Sequence, residues 1–181
     1  MRNRNLALMT SLLLLSLPAM ADVTYTYTGN DFTDALAPYT TTESITGSFT
    51  VASPLGDNYP YQQIAPLSFS FSDGVQTITN LNATLPPPFF DFATDLNGNI
   101  TTWSIFIGNA SGDFIETNNL LNDNGLFGID IGGDVVGIGI NESNPGSWTT
   151  PPPSPTPEPS TFALLSTGML GLAGIARRRF A

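Results

Sequence analysis

The sequence predicts an all-β fold, a single antiparallel β-sandwich, with a jelly roll or a partly open barrel as the alternatives. In several short runs, larger side chains alternate with small polar ones at period two, as in half-buried strands. Gly, Asp and Asn turn signals separate these runs. Outside the two chain ends, no window has apolar residues at helical spacing over three turns, so strands alone are expected between them.

About eight short strands are predicted between Asp22 and Trp148. The clearest hairpin lies at residues 67–79, where LSFSF alternates strictly and Asp73-Gly74 follows as a tight turn. The other predicted strands are residues 23–28, 45–51, 89–93 paired with 100–107, 114–117, and 126–131 paired with 135–140 across Gly132-Gly133-Asp134.

Charge is distributed very unevenly along the chain. All five basic residues are Arg and lie at the ends, whereas the fifteen acidic residues lie between Asp22 and Glu158. The segment between the basic ends therefore carries a formal charge of −15, with no Lys, Arg or His. Because phosphate binding requires cationic side chains, nucleic acid is excluded as a partner. No cofactor is expected, although solvated carboxylates permit weak association with Ca²⁺ or Mg²⁺.

The absence of Cys and His removes several kinds of catalytic site. Thiolate–zinc chemistry and a Ser-His-Asp triad lack their components. Two carboxylates can hydrolyse a glycosidic bond, but fifteen acids in a small domain make close pairs unavoidable and therefore uninformative. We expect a non-enzymatic protein and keep a small carboxylate-dependent glycosidase as a second alternative.

Residues 1–21 have the order of parts of a cleavable signal peptide. Arg2 and Arg4 form a basic start, residues 6–17 form a mostly apolar run, and a proline follows. Ala19 and Ala21 supply the small side chains of the cleavage site, so the mature chain is expected to begin at Asp22. The apolar run is shorter than the roughly 20 residues that span a bilayer. Export by the Sec machinery is therefore predicted.

The C-terminal end has a different order of parts. Residues 148–160 are rich in proline and predict an extended linker. Residues 161–176 form an uncharged apolar stretch that predicts a short transmembrane helix of about 24 Å at 1.5 Å per residue. The cluster Arg177-Arg178-Arg179 holds its end on the cytoplasmic side. The tail therefore predicts transient anchoring of an exported domain in the membrane.

The segment PEPSTFALLSTGMLGLAGIARRR resembles the PEP-CTERM sorting signal. Its parts are the PEP triplet, a short apolar helix and an arginine cluster. The resemblance covers only the tail and implies processing by an exosortase, a membrane-embedded enzyme, in bacteria that export exopolysaccharide. The sorting residues that it implies are Pro157, Glu158, Pro159, Arg177, Arg178 and Arg179.

Four segments are thus predicted: a signal peptide (1–21), a β-sandwich domain (22–147), a linker with the PEP motif (148–160) and a sorting tail (161–181). The expected function is that of an acidic surface, extracellular-matrix or biofilm protein, with exopolysaccharide as a partner. The first alternative is a carbohydrate-binding module, because outward Thr, Ser and Asn can hydrogen-bond to sugars and aromatic rings can stack on them. The rings considered for stacking are Tyr25, Tyr27, Tyr39, Tyr59, Tyr61 and Trp103.

Overall fold

The computed structural model describes residues 22–84, 87–121 and 127–149, with the backbone alone at positions 121 and 127. These residues belong to one compact unit, and all of their regular secondary structure is β-strand. Their strands are β1 (Val23–Thr28), β2 (Asp34–Leu36), β3 (Thr46–Val51), β4 (Gln62–Gln63), β5 (Ser68–Ser72), β6 (Thr77–Thr79), β7 (Phe89–Thr94), β8 (Ile100–Gly108), β9 (Phe114–Leu121), β10 (Phe127–Gly133), β11 (Ile138–Glu142) and β12 (Ser147–Thr149).

The strands form two separate sheets, so the predicted antiparallel β-sandwich is confirmed. One sheet has five strands in the order β12-β1-β3-β5-β6, and the other has seven in the order β2-β11-β10-β9-β8-β7-β4. Every pairing between neighbouring strands is antiparallel. The chain changes sheet several times between β1 and β12, which ties the two layers together in sequence as well as in space.

Aromatic side chains fill the core between the sheets. Phe49 of β3 and Phe92 of β7 meet across the layers with their ring centroids 4.7 Å apart. Large rings bury the most apolar area per side chain, which compensates for the missing disulfides. The buried aromatic residues on strands are Tyr25, Tyr27, Phe49, Phe69 and Phe71 from the five-stranded sheet, and Phe90, Phe92 and Trp103 from the seven-stranded sheet.

The predicted hairpins are present, with two changes at the turns. The loop after β5 has four residues (73–76) rather than a tight Asp-Gly turn, because Asp73 Oδ1 accepts bonds from the amides of Val75 and Gln76. Between β10 and β11, the two glycines belong to the strand and the turn lies at 134–137. There Asp134 Oδ1 accepts bonds from the amides of residues 136 and 137. In both hairpins, an Asp side chain accepts bonds from the amides of its own turn, and this bonding determines where the turn lies.

Three short strands escape the pattern analysis, namely β2, β4 and β12. Each lies at an edge of its sheet and has two or three residues, too few for an alternation to show. The last strand includes Trp148 and Thr149, two residues beyond the predicted end of the domain. The predicted signal and tail helices lie outside the described residues. In the part of the chain that is described, no helix is long and apolar enough to cross a membrane.

Candidate functional site

A buried carboxylate on β10 is hydrogen-bonded to a phenol on β1. The Tyr27 hydroxyl donates to Asp130 Oδ1 and Oδ2 at 2.7 and 2.9 Å, and it accepts a bond from the Gly146 amide at 2.6 Å. Both Tyr27 and Asp130 have no exposed surface. Thr117 lies opposite Asp130 on the neighbouring strand and accepts a 3.0 Å bond from Trp103 Nε1. This polar network joins the two sheets through the middle of the core.

The environment of this pair changes the acidity of both groups. Burial raises the pKa of Asp130 to about 6, although hydrogen bonds from Thr117 and Tyr27 act in the opposite direction. Burial, and then the neighbouring carboxylate, raise the pKa of Tyr27 well above its usual range. A carboxyl group that titrates near neutrality is typical of general acids and bases. Here it is enclosed by the core, so its bonding supports a role in joining the sheets.

A second carboxylate is buried at the turn between β5 and β6. Asp73 has no exposed surface, and its Oδ2 accepts a bond of 2.8 Å from the Tyr39 hydroxyl. Gln76 Nε2 lies within hydrogen-bond distance of both, and it donates to the carbonyl of Gly133 on β10 at 2.8 Å. Burial, followed by the bond to Asp73, raises the pKa of Tyr39. This cluster also links one sheet to the other.

The outer face of the five-stranded sheet is covered with hydroxyl groups. Thirteen positions point outward from its strands, and all thirteen are Ser or Thr. Thr24 and Thr50 are within hydrogen-bond distance across two strands, with their Oγ1 atoms 2.9 Å apart. The predicted outward Ser and Thr are therefore found on this sheet. The positions are Thr24, Thr26, Thr28, Thr46, Ser48, Thr50, Ser68, Ser70, Ser72, Thr77, Thr79, Ser147 and Thr149.

The outer face of the seven-stranded sheet instead carries large apolar side chains among polar ones. Phe89, Phe106 and Phe114 form a row across β7, β8 and β9, with successive ring centroids 6.1 and 5.9 Å apart. All three rings are partly exposed and lie outside the core cluster. Ile131, Ile138 and Ile140 continue this surface over β10 and β11. We call these six residues the apolar face.

The aromatic residues considered for sugar stacking are mostly in the core. Tyr25, Tyr27, Tyr39 and Trp103 are buried, so their prediction as stacking platforms is wrong. The reason is that a period-two pattern does not say which face of a strand is turned to solvent. Tyr59 is half-buried and packs against the core, whereas Tyr61 is 45% exposed. The sequence analysis missed the row of Phe rings, which lies on the opposite face of its strands from the core.

Neither the acidic residues nor the main cleft forms a reactive or metal-binding arrangement in the part of the chain that the structure describes. Among the described residues, no group of three or more acidic side chains is placed to hold a metal ion. A cleft of about 420 Å³ opens at the edge between the sheets, where Phe69 and Phe90 form part of its wall. None of the seven described residues that line it is acidic. The sequence-predicted sorting residues and cleavage-site alanines lie outside the described residues.

Comparison with known proteins is informative at the C-terminal tail. Residues 155–179 match the PEP-CTERM protein-sorting motif. The chain carries a PEP-CTERM sorting signal. The matched range contains all six predicted sorting residues, from Pro157 to Arg179. No curated protein and no solved structure matches the chain.

The PEP-CTERM signal indicates how the protein is exported and processed. It supports export, a membrane-associated intermediate and processing by an exosortase-type membrane enzyme. In this account the tail is the substrate of another protein's chemistry. The described sandwich ends at Thr149, so the matched range begins only six positions further along the chain. The folded domain is thus the part of the chain that precedes the PEP-CTERM signal.

Proposed function

We propose that this protein is a non-enzymatic component of the cell surface or extracellular matrix of exopolysaccharide-producing bacteria. The observation that carries the proposal is the PEP-CTERM motif at residues 155–179, directly after a single sandwich domain. Cleavage near the motif releases a domain whose twelve described strands all precede the motif. The first step of this route is export by the Sec machinery. The signal peptide is then removed at the cleavage site formed by Ala19 and Ala21, so that the chain begins at Asp22.

The arrangement of the acidic residues supports a role without catalysis. Asp73 and Asp130 are enclosed, and their oxygens accept bonds that join the two sheets. Asp95 and Asp134 bond the backbone amides of their own turns. Asp73 and Asp130 are thus closed to a substrate, whereas Asp95 and Asp134 stabilise the turns on which they lie.

Diffuse association with divalent cations is part of the same proposal. The domain carries many acids and no cationic side chain, so dissolved cations are the only charges that can neutralise its surface. Ca²⁺ or Mg²⁺ at millimolar concentration should raise the melting temperature more than NaCl of equal ionic strength, and a chelator should reverse the effect. A melting temperature that changes with neither Ca²⁺ nor chelator would contradict the proposed association with divalent cations.

Release by the sorting signal is tested by altering the PEP triplet in the native cells. Glu158→Ala should leave the protein in the inner-membrane fraction, while the wild-type protein reaches the surface or medium. Ser154→Ala, just before the matched range, is the matched control and should behave as wild type. The proposal fails if the Glu158→Ala protein is released as efficiently as the control.

A further inference from the structure

The apolar face is unusual for the outside of a sandwich, where strands normally alternate apolar inward and polar outward. Four of its residues, Phe89, Phe106, Ile131 and Ile140, lie in register on successive strands, with Glu116 of β9 between Phe106 and Ile131. The Phe114 ring lies over Gly133, where an added Cβ would be 2.4 Å from a ring carbon. Because Gly133 has no side chain, the Phe114 ring can pack directly against the backbone of β10. Partly exposed rings gathered on one outer face in this way point to an interaction site.

Groups that hydrogen-bond border the row of rings. Asn118 Nδ2 donates to Glu116 Oε1 at 3.0 Å, and Ser104 lies opposite Asn118 on β8. Tyr61 is beside Asp91 and Ser104, with close to half of its surface exposed. Side-chain amides, carboxylates and hydroxyls next to aromatic rings form a surface that offers stacking and hydrogen bonds together. Small-molecule sites have this combination of apolar lining and few polar groups.

Charge restricts what can bind to this face. Asp91 and Glu116 lie on it, and the domain supplies no Lys, Arg or His. An anionic polymer would be repelled. A second copy would bring another Glu116 into an apolar contact without a counter-ion, and burying unpaired charge is costly. Anionic polymers and a second copy are therefore disfavoured, and the rings with their neighbouring amide and hydroxyl groups fit an uncharged partner that has apolar patches and many hydroxyl groups.

We infer that the apolar face binds a neutral polysaccharide. The C–H faces of the sugar rings pack on Phe89, Phe106 and Phe114, and the sugar hydroxyls bond to Glu116, Asn118 and Asp91. This inference rests on the proposed function, since it names what the exported domain holds at the cell surface. The rings that contact the sugar in this inference are the partly exposed Phe rings, and not the buried Tyr and Trp rings that the sequence suggested.

The test measures retention of the exported protein, purified from its native cells with whichever C-terminus it carries. The probes are insoluble cellulose and chitin, gels containing dextran or galactomannan, and alginate as the anionic comparison. The wild-type protein should bind at least one neutral polymer and leave alginate unbound. Phe106→Ala should weaken that binding about tenfold or more. Ser70→Ala, on the hydroxyl-covered outer face of the other sheet, is the control and should bind as wild type.

Folding of the variants is checked by their thermal transitions. Glu116→Gln keeps the size of the side chain and removes its charge, so a severalfold change in affinity with an unchanged transition would support direct contact. Equal binding by Phe106→Ala and wild type, or no retention on any neutral polymer, overturns the inference. Concentration-dependent dimers that Phe106→Ala abolishes, without polysaccharide retention, would assign the face to self-association instead. None of these results changes the sorting proposal, which depends on the termini.

Discussion

Asp130 shows how a domain without internal cations accommodates a buried carboxylate. The usual partner of a buried acid is Lys or Arg, and the segment between the basic chain ends has neither. Its place is taken by neutral donors, above all the Tyr27 hydroxyl, which contacts both carboxylate oxygens. Neutral donors leave a desolvation penalty, and this penalty raises the pKa of Asp130 to about 6.

Tyr27→Phe should destabilise the domain by roughly 2–3 kcal/mol, because the change removes the phenol donor from a buried carboxylate and an acceptor from the Gly146 amide. Tyr25→Phe is the matched control. It frees only the Leu55 amide, with no carboxylate involved, and should cost about 1 kcal/mol. Urea unfolding at neutral pH measures both. Equal losses for the two variants would contradict the assigned role of Tyr27.

The raised pKa of Asp130 makes stability depend on pH with a defined sign. An unfolded Asp titrates near about 3.9, so between about pH 4 and pH 6 the unfolded state loses its proton first. Stability is therefore highest below this window and falls as the pH rises through it, by about 3 kcal/mol from this group. Asp130→Asn should lack this contribution. Urea unfolding at several pH values gives the free energy of unfolding of both proteins. The difference between the two free energies should change between about pH 4 and pH 6, whereas parallel pH profiles would contradict the assignment.

At the scale of elements, the sequence predicted the long strands well because their alternation matches a real difference between two faces. In β1, Val23, Tyr25 and Tyr27 point to the core while the intervening Thr residues point outward. The same pattern predicted β5 and the hairpin that follows it. It failed for β2, β4 and β12, because two or three residues cannot display a period and sheet partners decide whether such edges form.

The candidate sites were predictable to different degrees. The sorting signal is a linear motif, so its residues could be read directly from the tail. A surface on a sheet depends instead on which side chains share a face and on the register between strands. Phe89 and Phe90 are adjacent, yet one faces outward and the other is buried. The row formed by Phe89, Phe106 and Phe114 is visible only once the pairing of three strands is known.

The last strand pairs with β1 and adds one large side chain to the packing between the sheets. The Trp148 ring lies 5.0 Å from that of Tyr27 and 5.4 Å from those of Phe49 and Phe92. Trp148→Ala should therefore lower the free energy of unfolding by roughly 3–5 kcal/mol. Thr149→Ala, at the exposed neighbouring position, should change it by less than about 0.5 kcal/mol. Similar unfolding free energies for the two variants would show that β12 is dispensable.

At the scale of the whole molecule, the two outer faces of the sandwich have opposite characters. One carries thirteen hydroxyl side chains, and the other carries the row of rings and three isoleucines. The edge strands are short, with two or three residues each, which limits pairing with other chains. An exported domain of this kind is held together by aromatic packing and sheet-to-sheet hydrogen bonds, and its two outer faces differ in composition.

The most direct test of the sorting account is the intact mass of the protein isolated from its native cells, with both termini mapped. The account predicts a chain that begins at Asp22 and ends close to Pro157–Pro159, because both the signal peptide and the sorting tail are removed. A chain that begins at Asp22 but retains Arg177–Arg179 would contradict it. That result would mean a domain that stays tethered to the membrane and is not released by an exosortase.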